Sequence, residues 1–212
     1  MPSLASHPFA SIVPLLPVAD HSVEVRANRW LPIFQSACID PIHTAIFGTN
    51  QTIRLTRDRL LTHAYRLADQ KVLEILLWGY PSNQRGIVGN LILQLPELTR
   101  RATTQTNDWY AYFDSFQSVP GVNISTITKL AYFHGLTFQH PATGTAHGAL
   151  ILDDRVISAL GRWPEVAFPK LKRTTARTHY VAYLDMMEQA AASLGAEPDQ
   201  LELFLFSLGR AF

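Results

Sequence analysis

The chain has 212 residues, 47% of them hydrophobic and 17% charged, with a formal net charge of +1. This composition excludes a disordered chain and is typical of a packed protein with one domain or two small lobes. Cys38 is the only cysteine, which excludes an internal disulfide and agrees with a reducing compartment. Prolines interrupt the apolar N-terminus, no basic residue precedes it, and no apolar run is long enough to cross a bilayer. We therefore expect a cytoplasmic protein with no membrane partner.

The first part of the chain, residues 1–55, is rich in proline and shows little periodicity. It predicts an extended or irregular region that packs on the rest of the protein, with one short helix around residues 25–38. Helical periodicity dominates the remainder, so residues 56–212 are predicted to form a helical domain.

Two helices are predicted at the start of that domain. Apolar residues three or four positions apart indicate a helix from Thr56, its cap, to the region of Trp78. Residues 87–101 favour a second helix, which Pro96 should bend or split because proline lacks the backbone N–H.

The middle of the chain predicts a helix, a tight turn and another helix. Aromatic residues between positions 107 and 117 favour a short helix, Pro120-Gly121 breaks the chain, and residues 124–134 resume as a helix. Residues 135–150 contain three glycines and one proline and are predicted to be a loop.

The C-terminal third predicts three more helices. Asp153 or Asp154 should cap the first of them, and Gly195 and Pro198 should separate the last two. Alternation of apolar and polar residues hardly occurs along the chain, so the predicted fold is mainly α.

Charge is unevenly distributed in this third. Residues 162–180 carry five basic residues and one acidic residue, whereas residues 181–212 carry five acidic residues and one basic residue. A basic face beside an acidic one can orient a polyanion, although a solvated loop explains the same pattern.

The turn before the helix of residues 124–134 is a candidate phosphate site, because a helix N-terminus presents unpaired N–H groups and a partial positive charge. Gly121 lets the backbone approach a ligand, and Asn123 can take a positive φ. Ser125 and Thr126 add hydroxyl donors. The predicted contacts with a DNA backbone are Gly121, Val122, Asn123, Ile124, Ser125 and Thr126. The alternative is an ordinary joint between two core helices.

Two residues near this turn suggest chemistry. Lys129 lies in an apolar run, where desolvation disfavours the ammonium form and leaves the neutral amine that can attack an electrophilic carbon. Asp153 follows Ile151-Leu152 at a helix start, where a carboxylate can stabilise positive charge developing on a sugar. Asp153 is equally explained as a helix cap.

Together these motifs resemble the helix-hairpin-helix DNA glycosylase superfamily, specifically its 8-oxoguanine-glycosylase-like bacterial and archaeal branches. The family pattern is a Leu-Pro-Gly-Val-Gly-like hairpin, then a lysine, then Pro-Ile-x-Asp-x-x-Val. The matching segments here are Val119-Pro120-Gly121-Val122, Thr128-Lys129-Leu130 and Ile151-Leu152-Asp153-Asp154-Arg155-Val156. Weaker similarity covers Trp78-Gly79-Tyr80, Arg85-Gly86 and Pro198-Asp199-Gln200-Leu201-Glu202. Asn123 departs from the pattern by replacing the second glycine.

The resemblance implies a two-lobed helical glycosylase fold with the helix-hairpin-helix motif at about residues 107–134. It implies a monomer without a cofactor that flips a modified base out of double-stranded DNA and cleaves its N-glycosidic bond. Asp153 and Lys129 would meet at the sugar. Attack by water would leave an abasic site, and attack by Lys129 would add AP-lyase activity.

The resemblance leaves the substrate open between 8-oxoguanine and a hypermodified cytosine, such as glucosylated hydroxymethylcytosine in phage DNA. The long loop of residues 135–150 suits a specialised pocket and an anti-phage role. Two other classes stay open. One is a non-catalytic helix-hairpin-helix DNA-binding protein, and the other is an all-α interaction protein whose Pro-Gly turn is structural.

A base pocket can draw on aromatic and histidine side chains. Trp78 and Tyr80 can stack on an extruded base, although core packing is the stronger interpretation for both. His147 can reach the base from the loop. His134, His140 and His147 lack cysteines or carboxylates at ligand spacing, so no metal site is predicted. A Ser-His-Asp hydrolase is excluded because the chain lacks the Gly-x-Ser-x-Gly elbow.

Overall fold

The computed structural model describes residues 8–82, 88–162 and 171–209. Over those ranges the chain forms eleven α-helices, two 3-10 helices and two sheets of two strands each, which confirms the mainly α fold. The chain divides into two compact units. The first unit comprises residues 1–18, 105–113 and 135–212, and the second comprises residues 19–104 and 114–134. None of the described helices is long and apolar enough to span a membrane.

The second unit begins with an antiparallel strand pair and two helices. Strands β1 (Ser22–Arg26) and β2 (Thr52–Thr56) pair with each other, and helices α1 (Ala27–Ser36) and α2 (Asp40–Phe47) lie between them in the chain. The helix predicted around residues 25–38 is therefore present. The rest of residues 22–55 is regular where an irregular region was predicted, because each strand has only five residues and its alternation is easily overlooked. Strand β2 also crosses the predicted boundary between residues 55 and 56.

The helix predicted from Thr56 to Trp78 is broken into α3 (Arg57–Thr62) and α4 (Ala68–Gly79). Thr56 does cap α3, since its hydroxyl accepts from the Arg59 N–H at 3.0 Å. A continuous helix would separate residues 59 and 74 by roughly 22 Å. The break instead folds α3 back on α4, so that Arg59 binds the buried carboxylate of Glu74 at 2.8 Å.

The next helices follow the predicted pattern. Proline divides the predicted helix of residues 87–101 into α5 (Val88–Leu93) and α6 (Leu95–Ala102), with Pro96 in the first turn of α6. Helix α7 (Trp109–Ser115) and helix α8 (Ile124–Phe133) flank the predicted turn. Helix α8 is buried along almost its whole length and packs on α3, α4 and α6 inside the second unit.

The first unit contains the C-terminal helices and a short hairpin. Its elements are β3 (Thr137–Gln139), β4 (Ala146–Gly148), α9 (Asp154–Arg162), α10 (Ala176–Leu194) and α11 (Pro198–Leu208). Gly195 ends α10 in the left-handed conformation at φ 64°, and Pro198 starts α11, as predicted.

The prediction of a loop over residues 135–150 is wrong where β3 pairs with β4. Phe138 lies opposite His147, and both side chains are buried. Phe138 packs edge-on against Trp109 with ring centroids 5.3 Å apart. Three residues per strand carry too little alternation to be recognised in sequence, so packing on aromatic neighbours defines this hairpin.

Candidate functional site

The turn before α8 is shaped by a glycine and an asparagine. Gly121 takes the left-handed conformation at φ 84°. Asn123 is extended, with φ −127° and ψ 173°, and its Oδ1 accepts from the Thr126 N–H at 3.0 Å. Asn123 is therefore the N-cap of α8, and the predicted positive φ at this residue is wrong. An N-cap is extended because that backbone directs its side chain towards the first turn of the helix.

This cap leaves several donors open at the N-terminus of α8. In the described part of the chain, no acceptor binds the N–H groups of Gly121, Asn123, Ile124 and Ser125. Thr126 is different, because its side chain is 1% exposed and its hydroxyl lies 2.8 Å from that of Tyr80. This burial contradicts the predicted role of Thr126 as an exposed hydroxyl donor.

Lys129 lies in the interior of the second unit, one turn along α8. Its side chain is 7% exposed, which confirms the predicted burial. The Nζ atom donates to Ser125 Oγ and, at 3.4 Å, to the Ser125 carbonyl. Ser125 was predicted to serve a phosphate, and its contact with Lys129 was missed. A serine four residues before a lysine on one helix face is the sequence signal for this pair.

Asp153 lies in the first unit, directly after the buried residues Ile151 and Leu152. Its Oδ1 accepts from the N–H groups of Arg155 at 3.0 Å and Val156 at 3.1 Å. Asp153 therefore caps α9, as predicted. This geometry fixes the carboxylate at a helix N-terminus, where a negative charge is favoured.

Two tyrosines of α10 anchor the segment that leads to Asp153. The hydroxyl of Tyr180 donates to the Leu150 carbonyl at 2.6 Å, and that of Tyr183 donates to the Ile151 carbonyl at 3.4 Å. Sequence reasoning assigned Tyr180 only to an apolar helix face. The missed signal is that a buried tyrosine hydroxyl needs a polar partner.

The three residues predicted for a base pocket have different surroundings. Trp78 is 5% exposed and packs edge-on against Phe133 at 5.3 Å, which supports the core-packing interpretation. Tyr80 is half-buried and bound to Thr126. His147 is 1% exposed on β4, where its Nδ1 lies 2.9 Å from Glu188 Oε2 on α10. This position is inside the first unit, not at the tip of a loop.

The basic segment of residues 162–180 and the Arg85-Gly86 motif are partly or wholly outside the described residues. Where the segment is described, Arg173 pairs with Asp154, and the Arg177 guanidinium lies 5.1 Å from the ring centroid of Tyr110. The described residues contain no group of three His, Cys, Asp or Glu side chains that could hold a metal ion.

Sequence comparison adds a family assignment to this geometry. A family model described as "Putative 8-oxoguanine DNA glycosylase OGG-like protein" matches residues 16–206, which covers both units. No curated protein and no solved structure matches the chain.

Proposed function

The chain belongs to the OGG-like family of putative 8-oxoguanine DNA glycosylases, and on that premise we propose that it excises a modified base from DNA. The reaction would cleave the N-glycosidic bond of a flipped nucleotide and leave an abasic site. The family match over residues 16–206 is the observation that carries the proposal. The open N–H groups before α8 and the buried Lys129 support it.

The DNA backbone would bind at the helix-hairpin-helix segment of residues 107–134. The N–H groups of Gly121, Asn123, Ile124 and Ser125 would donate to phosphate oxygens, assisted by the positive end of the α8 dipole. Such contacts carry no sequence information, so they suit an enzyme that recognises a lesion in any context.

Asp153 would stabilise the transition state of base release. When the C1′–N bond breaks, its electron pair leaves with the base and positive charge develops on the sugar. A fixed carboxylate stabilises that charge, and removing one such electrostatic contribution typically costs on the order of 100-fold in rate or more.

The substitution Asp153→Asn tests this role without removing the helix cap. Asparagine caps a helix about as well as aspartate, so α9 should be retained while the charge is lost. We expect base release to fall on the order of 100-fold, with DNA affinity nearly unchanged. Base release at the wild-type rate would refute the assignment.

Lys129 would provide the nucleophile for a coupled lyase reaction. Its neutral amine would attack C1′ and form a Schiff base, from which strand cleavage can follow. Borohydride should trap a covalent protein–DNA adduct, and Lys129→Gln should abolish it. Base release without any adduct would indicate that only water attacks and that the product is a plain abasic site.

The substrate would be 8-oxoguanine or a hypermodified cytosine, such as glucosylated hydroxymethylcytosine in an anti-phage reaction. The hairpin of β3 and β4 has an exposed tip at residues 141–146, which would suit contact with a bulky base or its flanking strand. Duplexes carrying each modified base, together with modified phage DNA, would identify the substrate through the base that is released.

A non-catalytic DNA-binding protein is the second candidate, and the capping role of Asp153 favours it. Capping alone accounts for an aspartate at this position. Binding to every duplex, with no base released from any of them and no adduct, would select this alternative.

A further inference from the structure

The amine of Lys129 is held at the first turn of α8 by one hydroxyl. Ser125 precedes Lys129 by four residues, and its Oγ accepts a hydrogen bond from the Lys129 Nζ. The Ser125 carbonyl accepts from the same amine at 3.4 Å. A serine hydroxyl can accept from an ammonium group and donate to a neutral amine, so it can orient the lysine in both protonation states.

The stem of Lys129 occupies space that a glycine leaves open. Gly79 is the last residue of α4, and a Cβ atom placed there would lie 3.1 Å from Lys129 Cδ and 3.4 Å from Lys129 Cε. Any larger residue at position 79 would therefore displace the stem or the amine that it carries. Gly79 and Ser125 contact the same side chain, one at its methylene groups and the other at its nitrogen.

We propose that Ser125 and Gly79 are positioning residues that set the location and direction of the Lys129 amine for attack on the sugar. This inference rests on the proposed glycosylase function. It gives the Ser125 hydroxyl to the lysine, whereas the neighbouring N–H groups serve the phosphate.

The step that this geometry prepares can be followed on DNA that already contains an abasic site. The Lys129 nitrogen attacks the C1′ aldehyde carbon of the ring-opened sugar and forms a C–N bond. The carbonyl oxygen leaves as water after it has taken up two protons, which leaves an iminium ion. Borohydride delivers hydride to that carbon and fixes the adduct as a secondary amine.

The test measures this trapping at saturating protein and separately measures DNA affinity. Ser125→Ala should lower the trapping rate constant about 5- to 10-fold, as expected for the loss of one hydrogen bond. Ser125→Thr, which keeps the hydroxyl, should restore most of that rate. Peptide mapping should place the wild-type adduct on Lys129.

Gly79→Ala should also slow trapping, by about 3-fold or more, because the amine must shift with its stem. Its matched control is Gly89→Ala in α5, where an added Cβ would meet no atom within 4 Å. Both substitutions place alanine in a helix of the second unit, so a general effect of alanine on helix stability should appear in both variants.

Each outcome discriminates. An unchanged trapping rate in Ser125→Ala with weaker DNA affinity would overturn the inference and return Ser125 to the phosphate. Equal effects of Gly79→Ala and Gly89→Ala would overturn the role of Gly79, and a wild-type protein that is never trapped would overturn both roles. Trapping with the expected pattern, but with no modified base released, would support the positioning roles and refute the proposed base excision.

Discussion

The hydroxyl of Tyr180 forms two hydrogen bonds with a single residue, Leu150. It donates to the Leu150 carbonyl at 2.6 Å and accepts from the Leu150 N–H at 3.1 Å. Tyr180 is fully buried, and burial raises the pKa of its hydroxyl, which therefore stays protonated. Because Leu150 lies three residues before Asp153, this pair connects α10 to the approach of the candidate catalytic carboxylate.

Tyr180→Phe should destabilise the protein by about 2–4 kcal/mol, because it leaves a buried N–H and a buried carbonyl without their partner. Urea denaturation followed by circular dichroism would measure the change. Tyr110→Phe is the control, since the half-buried Tyr110 contributes its ring to Arg177 and phenylalanine keeps that ring. Equal stability of Tyr180→Phe and wild type would show that the hydroxyl does not hold Leu150.

Asn123 allows the phosphate site to be tested separately from the stability of α8. Asn123→Asp keeps an oxygen that can cap the helix but adds a negative charge beside the open N–H groups. We expect DNA affinity to fall about 10-fold at low salt and less at high salt, since exposed charges are screened. Fluorescence anisotropy with a labelled duplex would measure it.

Asn123→Ser is the neutral control for this substitution, because serine also caps helices well. Asn123→Ala should instead cost about 1 kcal/mol of stability through loss of the cap. If the aspartate and serine variants bind DNA equally, phosphate does not lie against this turn.

The sequence contained enough information to predict the helix ends and the nature of the fold. Local chemistry determines those features, as the left-handed Gly195, the first-turn Pro198 and the caps Thr56 and Asp153 illustrate. The same reasoning erred at Asn123, where a residue that tolerates positive φ is also a preferred cap. Capping prevailed because it satisfies the Thr126 N–H, while Gly121 supplies the left-handed conformation at no steric cost.

Features that depend on distant residues could not be predicted. The break between α3 and α4 brings Arg59 to Glu74, fifteen residues later, and no periodicity marks that return. Burial of Thr126 depends on Tyr80, 46 residues away in sequence. Among the candidate site residues, Lys129 and Asp153 were recognised by residue type and local pattern, whereas their supporting partners Ser125 and Tyr180 needed the structure.

Glu74 is a fully buried carboxylate whose loss should be costly. It accepts two hydrogen bonds from Arg59, at 2.8 and 3.0 Å, one from Tyr65 at 2.9 Å and one from Gln70 at 3.3 Å. Burial and the charge of Glu74 both raise the pKa of Tyr65, so its hydroxyl remains a donor. Glu74 thus fastens α3 and the following connection to α4.

Glu74→Ala should destabilise the protein by about 3–5 kcal/mol, because it leaves the Arg59 charge without its buried partner. The double variant Arg59→Met, Glu74→Leu should recover part of that loss, since an apolar pair replaces both charges. Urea denaturation would compare the two, with Glu24→Gln on the exposed edge of β1 as the surface control. A single variant no less stable than the double variant would contradict this account.

His134 should make the stability of the protein depend on pH. It follows α8, and burial, reinforced by the charge of Lys71, lowers the pKa of its imidazole from 6.5 to about 4. In the unfolded chain the imidazole takes up a proton near pH 6.5. Between these values the unfolded state binds more protons than the folded state, so stability falls as the pH falls.

His134→Gln should remove this contribution, which reaches at most about 3 kcal/mol near pH 4. Urea denaturation at pH 7, 6, 5 and 4.5 should show that wild type loses more stability than the variant below pH 6.5. Lys71→Met should reduce the wild-type loss, because removing the ammonium raises the pKa of His134 towards its ordinary value. Parallel pH profiles for wild type and His134→Gln would contradict a neutral, buried imidazole, whereas a gap that widens as the pH falls follows directly from its lowered pKa.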